Sequence, residues 1–202
     1  PQYGLWNNMI DTLHPYAHSS SPQYGLWNNM IEPLVEVDYG KKTYYGVLAE
    51  SWEFKGKQWV IKLRKNVRFH DGSRFTAADV IYSFNRVKND KASLQKENFR
   101  DLVEMQAIDD HTIAFVTEAP NAVFLDRLEN RFIISKNATE AQGGEPTEHK
   151  PVVTGPYRFI SWQRGKTEEH QHQGECGESH DHPRWGMPKM RRLIRSVLHI
   201  SF

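Results

Sequence analysis

The sequence predicts a mixed α+β fold in which short, mostly antiparallel strands are covered by helices. Three stretches carry that expectation. Residues 44–70 and 103–117 alternate apolar and polar residues across tight turns, the two-residue period of half-buried strands. Residues 77–88 place apolar side chains at helical spacing behind a capping sequence.

The first hairpin is "WEF", "KGK", "QWVIKL", with Gly56 at the turn and Trp59, Ile61 and Leu63 on one face against Gln58, Val60 and Lys62 on the other. "NVRFHDG" extends the strand, with Val67 and Phe69 on one face, to an Asp71-Gly72 turn. The helix follows, with Thr76 and Asp79 as a capping box and Ala77, Val80, Ile81 and Phe84 as its apolar side. "NDKASLQKENFRD" is polar loop, and residues 103–117 form a second hairpin turning at Asp109-Asp110, with Val103, Met105 and Ala107 alternating on the first strand and Ile113 and Phe115 on the return. Residues 121–131 suggest a helix burying Val123, Phe124 and Leu128. "FIIS" at 132–135 reads as a short strand, 136–150 as loop and 154–162 as strand after a Gly-Pro turn. Residues 166–183 lose periodicity, and the apolar pattern from 189 to 202 fits a strand or a short amphipathic helix.

Composition bounds the function. The chain has 202 residues, 38% hydrophobic and 25% charged, with 26 basic against 25 acidic side chains. That is a globular balance, and without a basic stripe nucleic acid is a poor partner. No apolar run reaches the roughly 20 residues of a membrane span, and no signal peptide is visible. The single cysteine, Cys176, rules out an internal disulfide. The decapeptide "PQYGLWNNMI" occurs at 1–10 and again at 22–31, with different continuations. A repeat architecture needs more units at a steady period, so one copy is expected to be structural and the other, 1–10, a frayed duplicate.

In order, "TLHPYAHSSSPQYGLWNNMIEPLVEVD", "LAESWEF", "WVIKLRKNVRFHDGSRFTAADVIYSF" and "TGPYRFISW" resemble the extracytoplasmic solute-binding proteins of ABC importers, family 5, which take up peptides, dipeptides and nickel. The resemblance covers about residues 11–165. It implies part of lobe one of a periplasmic-binding-protein type II clamshell, with a helix near 24–33. It also implies an extracytoplasmic site, a peptide or small solute as ligand, ABC permease subunits as partners, no cofactor and no enzymatic activity. Departures are His14 in the "tLdP" turn, Ile31 in "YEpL", Val153 before Thr154-Gly155, and residues 166–183, which match no family strand. Family members are two to three times longer, so the chain is expected to lack the second lobe and to be impaired in closure.

In this family the loop after the "tLdP" turn lines the interlobe cleft. That makes His18, Ser19, Ser20 and Ser21, with Tyr24 and Asn28, the candidate ligand contacts, since hydroxyls and free backbone groups can pair with an extended peptide. The competing interpretation is a plain serine-rich loop. An alternative function is a metal-binding module in the divergent 166–202 segment. There His170, His172, Cys176, His180, Asp181 and His182 offer His-x-His and His-Asp-His spacings for nickel, copper or zinc. A third possibility is a gene fragment with no binding function. His70-Asp71 reads as a strand end and turn rather than a catalytic pair, Thr76 and Asp79 as a cap rather than phosphate ligands, and Trp52, Phe54, Trp59 and Phe69 as core. No G-x-S-x-G elbow supports a hydrolase.

Overall fold

Alternation in the two hairpins builds the sheet. Strand β3 (Ala49–Lys55) and strand β4 (Gln58–Leu63) pair antiparallel, with Phe54 opposite Trp59 and Trp52 opposite Ile61. Gly56 takes a positive φ of 65° at the turn, a conformation that costs glycine least. Strand β6 (Thr112–Thr117) pairs with β4 and with strand β5 (Leu102–Asp109), giving the antiparallel order β3-β4-β6-β5. The computed structural model describes residues 16, 27–28, 30–91, 93–129, 131–144, 151–161 and 199–201.

One sheet face carries Trp59, Ile61, Ile113 and Phe115, all buried. Helix α1 (Ala77–Asn89) covers it with Ala77, Val80, Phe84 and Val87. A short 3-10 turn, Lys96–Phe99, and helix α2 (Phe124–Leu128) complete an aromatic cluster. The Phe84 ring meets Phe115 at 5.0 Å and Phe99 at 5.2 Å, both edge-on, and Phe124 lies 5.4 Å from Phe115. Such edge-to-face pairs add to what area burial supplies.

A smaller hairpin precedes the sheet: strand β1 (Val35–Asp38) against strand β2 (Thr43–Gly46). Asp38 accepts the N–H groups of Gly40 and Lys41 at its tip, each at 3.0 Å. Tyr39 donates to both Glu129 oxygens at 2.9 and 3.0 Å, and Tyr44 donates to Asp126, so the hairpin leans on α2 and the residue after it. Strand β7 (Arg158–Ser161) pairs antiparallel with strand β8 (His199–Ser201).

Several expectations are corrected. Residues 64–70 are not strand; they hold one bridge, Arg68 to Arg74. Val103 points outward, 65% exposed, because the ladder shifts register between Leu102 and Glu104 and Leu102 takes the inner position. The second hairpin turns at Asp110-His111, with Asp109 accepting the His111 N–H at 2.7 Å. The 121–131 helix shrinks to α2, with Leu125 buried and Val123 exposed. Residues 132–135 form no strand, because successive amides find unrelated partners: Ile133 the Glu32 carbonyl, Ile134 the Ser83 hydroxyl, and Ser135 the Val152 carbonyl. Residues 136–150 are not all loop. Helix α3 (Lys136–Ala141) starts there, capped by Ser135, whose Oγ accepts the Ala138 N–H. Of the expected 24–33 helix, residues 27, 28 and 30 are helical and residue 31 is already out of it. Strand β1 was not anticipated.

Candidate functional site

The turn at 27–31 meets the "TGPY" loop at Gly155. A Cβ there would lie 2.3 Å from the Met30 carbonyl oxygen and 2.5 Å from its carbon, closer than side-chain atoms approach backbone. Glycine permits this approach, and its N–H donates to the Met30 carbonyl at 2.9 Å. His70 closes the junction from a third segment. Its backbone N–H donates to the Val153 carbonyl at 2.9 Å, and its Nε2 lies 2.6 Å from the Gly155 carbonyl oxygen. A carbonyl can only accept, so Nε2 carries the proton and Nδ1 holds the lone pair. Nδ1 is buried without a hydrogen-bond partner. Burial holds the His70 pKa below its ordinary value, against the opposing pull of the Gly155 hydrogen bond; Arg158 lowers it further and Asp71 raises it.

Three more buried polar atoms on these segments lack partners: the Trp27 indole Nε1, the Asn28 amide Oδ1 and the Thr154 hydroxyl. Trp27 can only donate, Oδ1 can only accept and the hydroxyl can do either. That is hydrogen-bonding equipment for polar, uncharged groups. The carboxylate next to His70 in sequence, Asp71, is engaged by the Ser73 N–H at 2.9 Å and hydroxyl at 2.6 Å, as a turn rather than a catalytic partner.

Of the sequence-predicted contacts, Asn28 is described, half-buried in the helical turn. His18, Ser19, Ser20, Ser21 and Tyr24 lie outside the described residues, as do His170, His172, Cys176, His180, Asp181 and His182. Among the described residues, no group of three or more His, Cys, Asp or Glu side chains could hold a metal, and no helix is long and apolar enough to cross a membrane. Thr76 and Asp79 form the expected cap: Asp79 Oδ2 accepts the Thr76 N–H and hydroxyl, each at 2.9 Å. Trp59 and Phe69 are core, with the Trp59 indole N–H donating to the Asn121 carbonyl at 2.8 Å. Trp52 is half-buried, while Phe54 is 37% exposed and lies over Trp59 at 4.8 Å.

Sequence reasoning missed Tyr16. It is fully buried, donates its hydroxyl to the Phe132 carbonyl at 2.9 Å, and receives the Leu94 N–H on its own carbonyl at 3.1 Å. Burial pushes its phenol far above the ordinary range. Trp27 is equally buried. The available signal was an aromatic residue directly after Pro15.

Comparison with known proteins gives a consistent picture. The family model for bacterial extracellular solute-binding proteins, family 5 (middle region), matches residues 43–169. The glutathione-binding protein GsiB of Pectobacterium atrosepticum is 34% identical over 57% of this chain and 23% of its own length. The dipeptide-binding protein of Escherichia coli K12 is 34% identical over 58% of this chain and 27% of its own. Among solved structures, the periplasmic binding protein DppA of Helicobacter pylori, in complex with the peptide STSA, superposes with a TM-score of 0.65 at 26% identity, over 76% of this chain and 35% of that one. The matched stretch thus spans about a quarter of the curated relatives' length, and the fold corresponds to part of one lobe of a type II clamshell.

Proposed function

The chain belongs to the bacterial extracellular solute-binding proteins of family 5, and from that premise we propose that it contributes one wall of a cleft that captures a peptide or related small solute outside the cytoplasm. Delivery to an ABC permease follows from this reading. The family is one of transport binding proteins rather than enzymes.

The observation that carries the proposal is that Tyr16 and Trp27, which bracket residues 17–26 in the sequence, are both fully buried. His18, Ser19, Ser20, Ser21 and Tyr24, in the sequence between these two residues, are the proposed ligand contacts. Their hydroxyls and main-chain groups would pair with a ligand's backbone, giving affinity without strong side-chain selectivity. Asn28 adds an amide oxygen with no internal partner. Closure of a second lobe over the ligand would then shift an open–closed equilibrium.

When these 202 residues are tested by themselves, one wall leaves much of the ligand in water, so affinity is expected near the millimolar level, about −4 kcal/mol. Titration calorimetry with a dipeptide, a tetrapeptide and glutathione in separate runs tests this. Saturable heat is expected with at least one of them, weakened several-fold by the combined Ser19→Ala, Ser20→Ala, Ser21→Ala variant. No heat from any of the three at millimolar concentration would refute the reading.

A further inference from the structure

Between strand β4 and helix α1 the chain doubles back on itself, with residues 67–69 running against 73–75. The Phe69 N–H donates to the Ser73 carbonyl at 2.9 Å and the Phe75 N–H to the Val67 carbonyl at 3.2 Å, which leaves Arg68 and Arg74 directly opposite each other. Because these two exchange no hydrogen bond, they form the closer kind of antiparallel pair, with Cα atoms about 4.5 Å apart and side chains on one face. Phe69 and Phe75 take the other face and are buried, their rings 6.1 Å apart and edge-on. Arg68 and Arg74 are therefore held outward, and both are exposed.

Like charges directly opposite each other are destabilising unless something neutralises them. Neither arginine forms an ion pair among the described residues. Arg68 donates Nη1 to the Gly72 carbonyl at 2.7 Å, an uncharged acceptor. The acid in the turn, Asp71, is already occupied by the Ser73 N–H and hydroxyl. The same connection adds exposed Arg64 and Lys65, and Arg64 also directs its donors at carbonyls, those of Val47 at 2.7 Å and Gly46 at 3.2 Å. Arg158 stands within electrostatic reach of His70, in the same turn. The whole chain carries a formal charge of only +1, so this positive face is a local excess.

We propose that this turn is a docking face for an anionic phospholipid surface, with Arg68 and Arg74 together gripping a headgroup phosphate. The paired geometry favours phosphate over carboxylate: one guanidinium fork satisfies a carboxylate, whereas a phosphate offers acceptor oxygens to two. An exposed pair gains little from a single small anion, because water and salt screen it. A bilayer presents many phosphates at once, so Arg64, Lys65, Arg68 and Arg74 all add to the same attraction. The inference is independent of which solute the cleft takes.

The test is co-sedimentation of the full chain with vesicles of phosphatidylcholine alone and of phosphatidylcholine mixed with phosphatidylglycerol. Binding is expected to the mixed vesicles only, at about 0.05 M salt and not at about 0.5 M, where the screening length falls to about 4 Å. Arg68→Gln combined with Arg74→Gln is expected to weaken it about tenfold, since two surface cations are removed. Lys55→Gln combined with Lys57→Gln, exposed lysines at the far end of β4, should leave it unchanged. No binding by the wild type, undiminished binding by the arginine variant, or an equal loss in the lysine variant would each overturn the proposal. Undiminished binding would move the attraction to another basic stretch, such as 189–195. Inorganic phosphate should displace the chain no better than sodium chloride of equal ionic strength; stronger displacement would identify a small-anion site and refute membrane docking. Retention on polyglutamate without binding to vesicles would assign the face to an acidic protein and refute it as well. Arg74→Gln removes a like-charged neighbour and no side-chain hydrogen bond among the described residues, so it should melt no lower than the wild type. A lower melting temperature would show that the pair is stabilised within the fold and would overturn the proposal; should the double variant not fold, Arg74→Gln alone carries the vesicle comparison.

Discussion

His70 is the residue where protonation and packing meet. Its imidazole is neutral in the fold, with Nε2–H on the Gly155 carbonyl and a buried, unpartnered Nδ1. A second proton would have to sit on Nδ1, where nothing accepts it, so burial lowers the folded pKa below the ordinary histidine value of about 6.5. A depressed folded value means the unfolded chain takes up the proton first. The stabilisation is therefore full above about pH 7 and is lost as the pH falls through 6.5 toward the lowered folded value. Asp71, which favours the proton, and Arg158, which opposes it, act more weakly than burial. In His70→Gln the amide N–H can still donate to Gly155, but nothing titrates. Denaturant unfolding at pH 7.5 and 5.5 should show a smaller acid-induced loss in His70→Gln than in the wild type. Identical losses would mean that His70 is not responsible. Nothing in the sequence marked this role: "FHDG" identifies a turn, and the partner of His70 stands 85 residues further on.

At the scale of elements, legibility followed how local the forces were. The β3–β4 hairpin and α1 were readable because Gly56, the alternation of 58–63 and the Thr76/Asp79 cap are all set within a few residues. Helix α3 was not, because its start depends on a residue 57 positions away: Asp79 Oδ1 accepts the Lys136 N–H at 2.9 Å. Residues 132–135 look like strand for their apolar side chains, yet their amides are dispersed over three unrelated partners, one of them the Ser83 hydroxyl. Of the candidate site, the sequence did not indicate the burial of Tyr16 and Trp27, since burial of those rings is decided by the elements around them. Asp79 thus caps two helices at once, and it is itself buried. Asp79→Ala would strand the Thr76 and Lys136 amides together. Losing a cap costs about 0.5–2 kcal/mol, and a hydrogen bond to a charged group about 1.5–3. The expected loss is therefore about 2–5 kcal/mol, against about 1 for Thr76→Ala. Urea unfolding should show the midpoint falling with an unchanged slope; equal effects of the two substitutions would exclude the double role of Asp79.

The molecule as a whole is organised around the middle of one sheet. Strands β4 and β6 have a neighbour on each side, while β3 and β5 are its edges. The inner rows run Phe54, Trp59, Phe115, Met105 and Trp52, Ile61, Ile113, Ala107 across the four strands. The outer rows, such as Lys55, Gln58, Val116, Glu104, are largely polar. With one apolar face, a one-residue slip would turn the core outward, so the register is tightly specified. The aromatic cluster of Phe84, Phe99, Phe115 and Phe124 joins that inner face to α1, α2 and the 3-10 turn. Opening the central strands therefore requires global unfolding, whereas edge strands and the β1–β2 hairpin can open locally. Native-state amide exchange should find the slowest protons in β4 and β6, at residues such as Ile61, Ile113 and Phe115, and faster ones in the outward-facing amides of β3 and β5. Phe115→Ala, which removes the ring shared by Phe84 and Phe124, should cost about 3–5 kcal/mol and accelerate the slowest β4 and β6 protons by the same free energy. Acceleration confined to β6 would show that these strands open independently and that the sheet is not one cooperative unit.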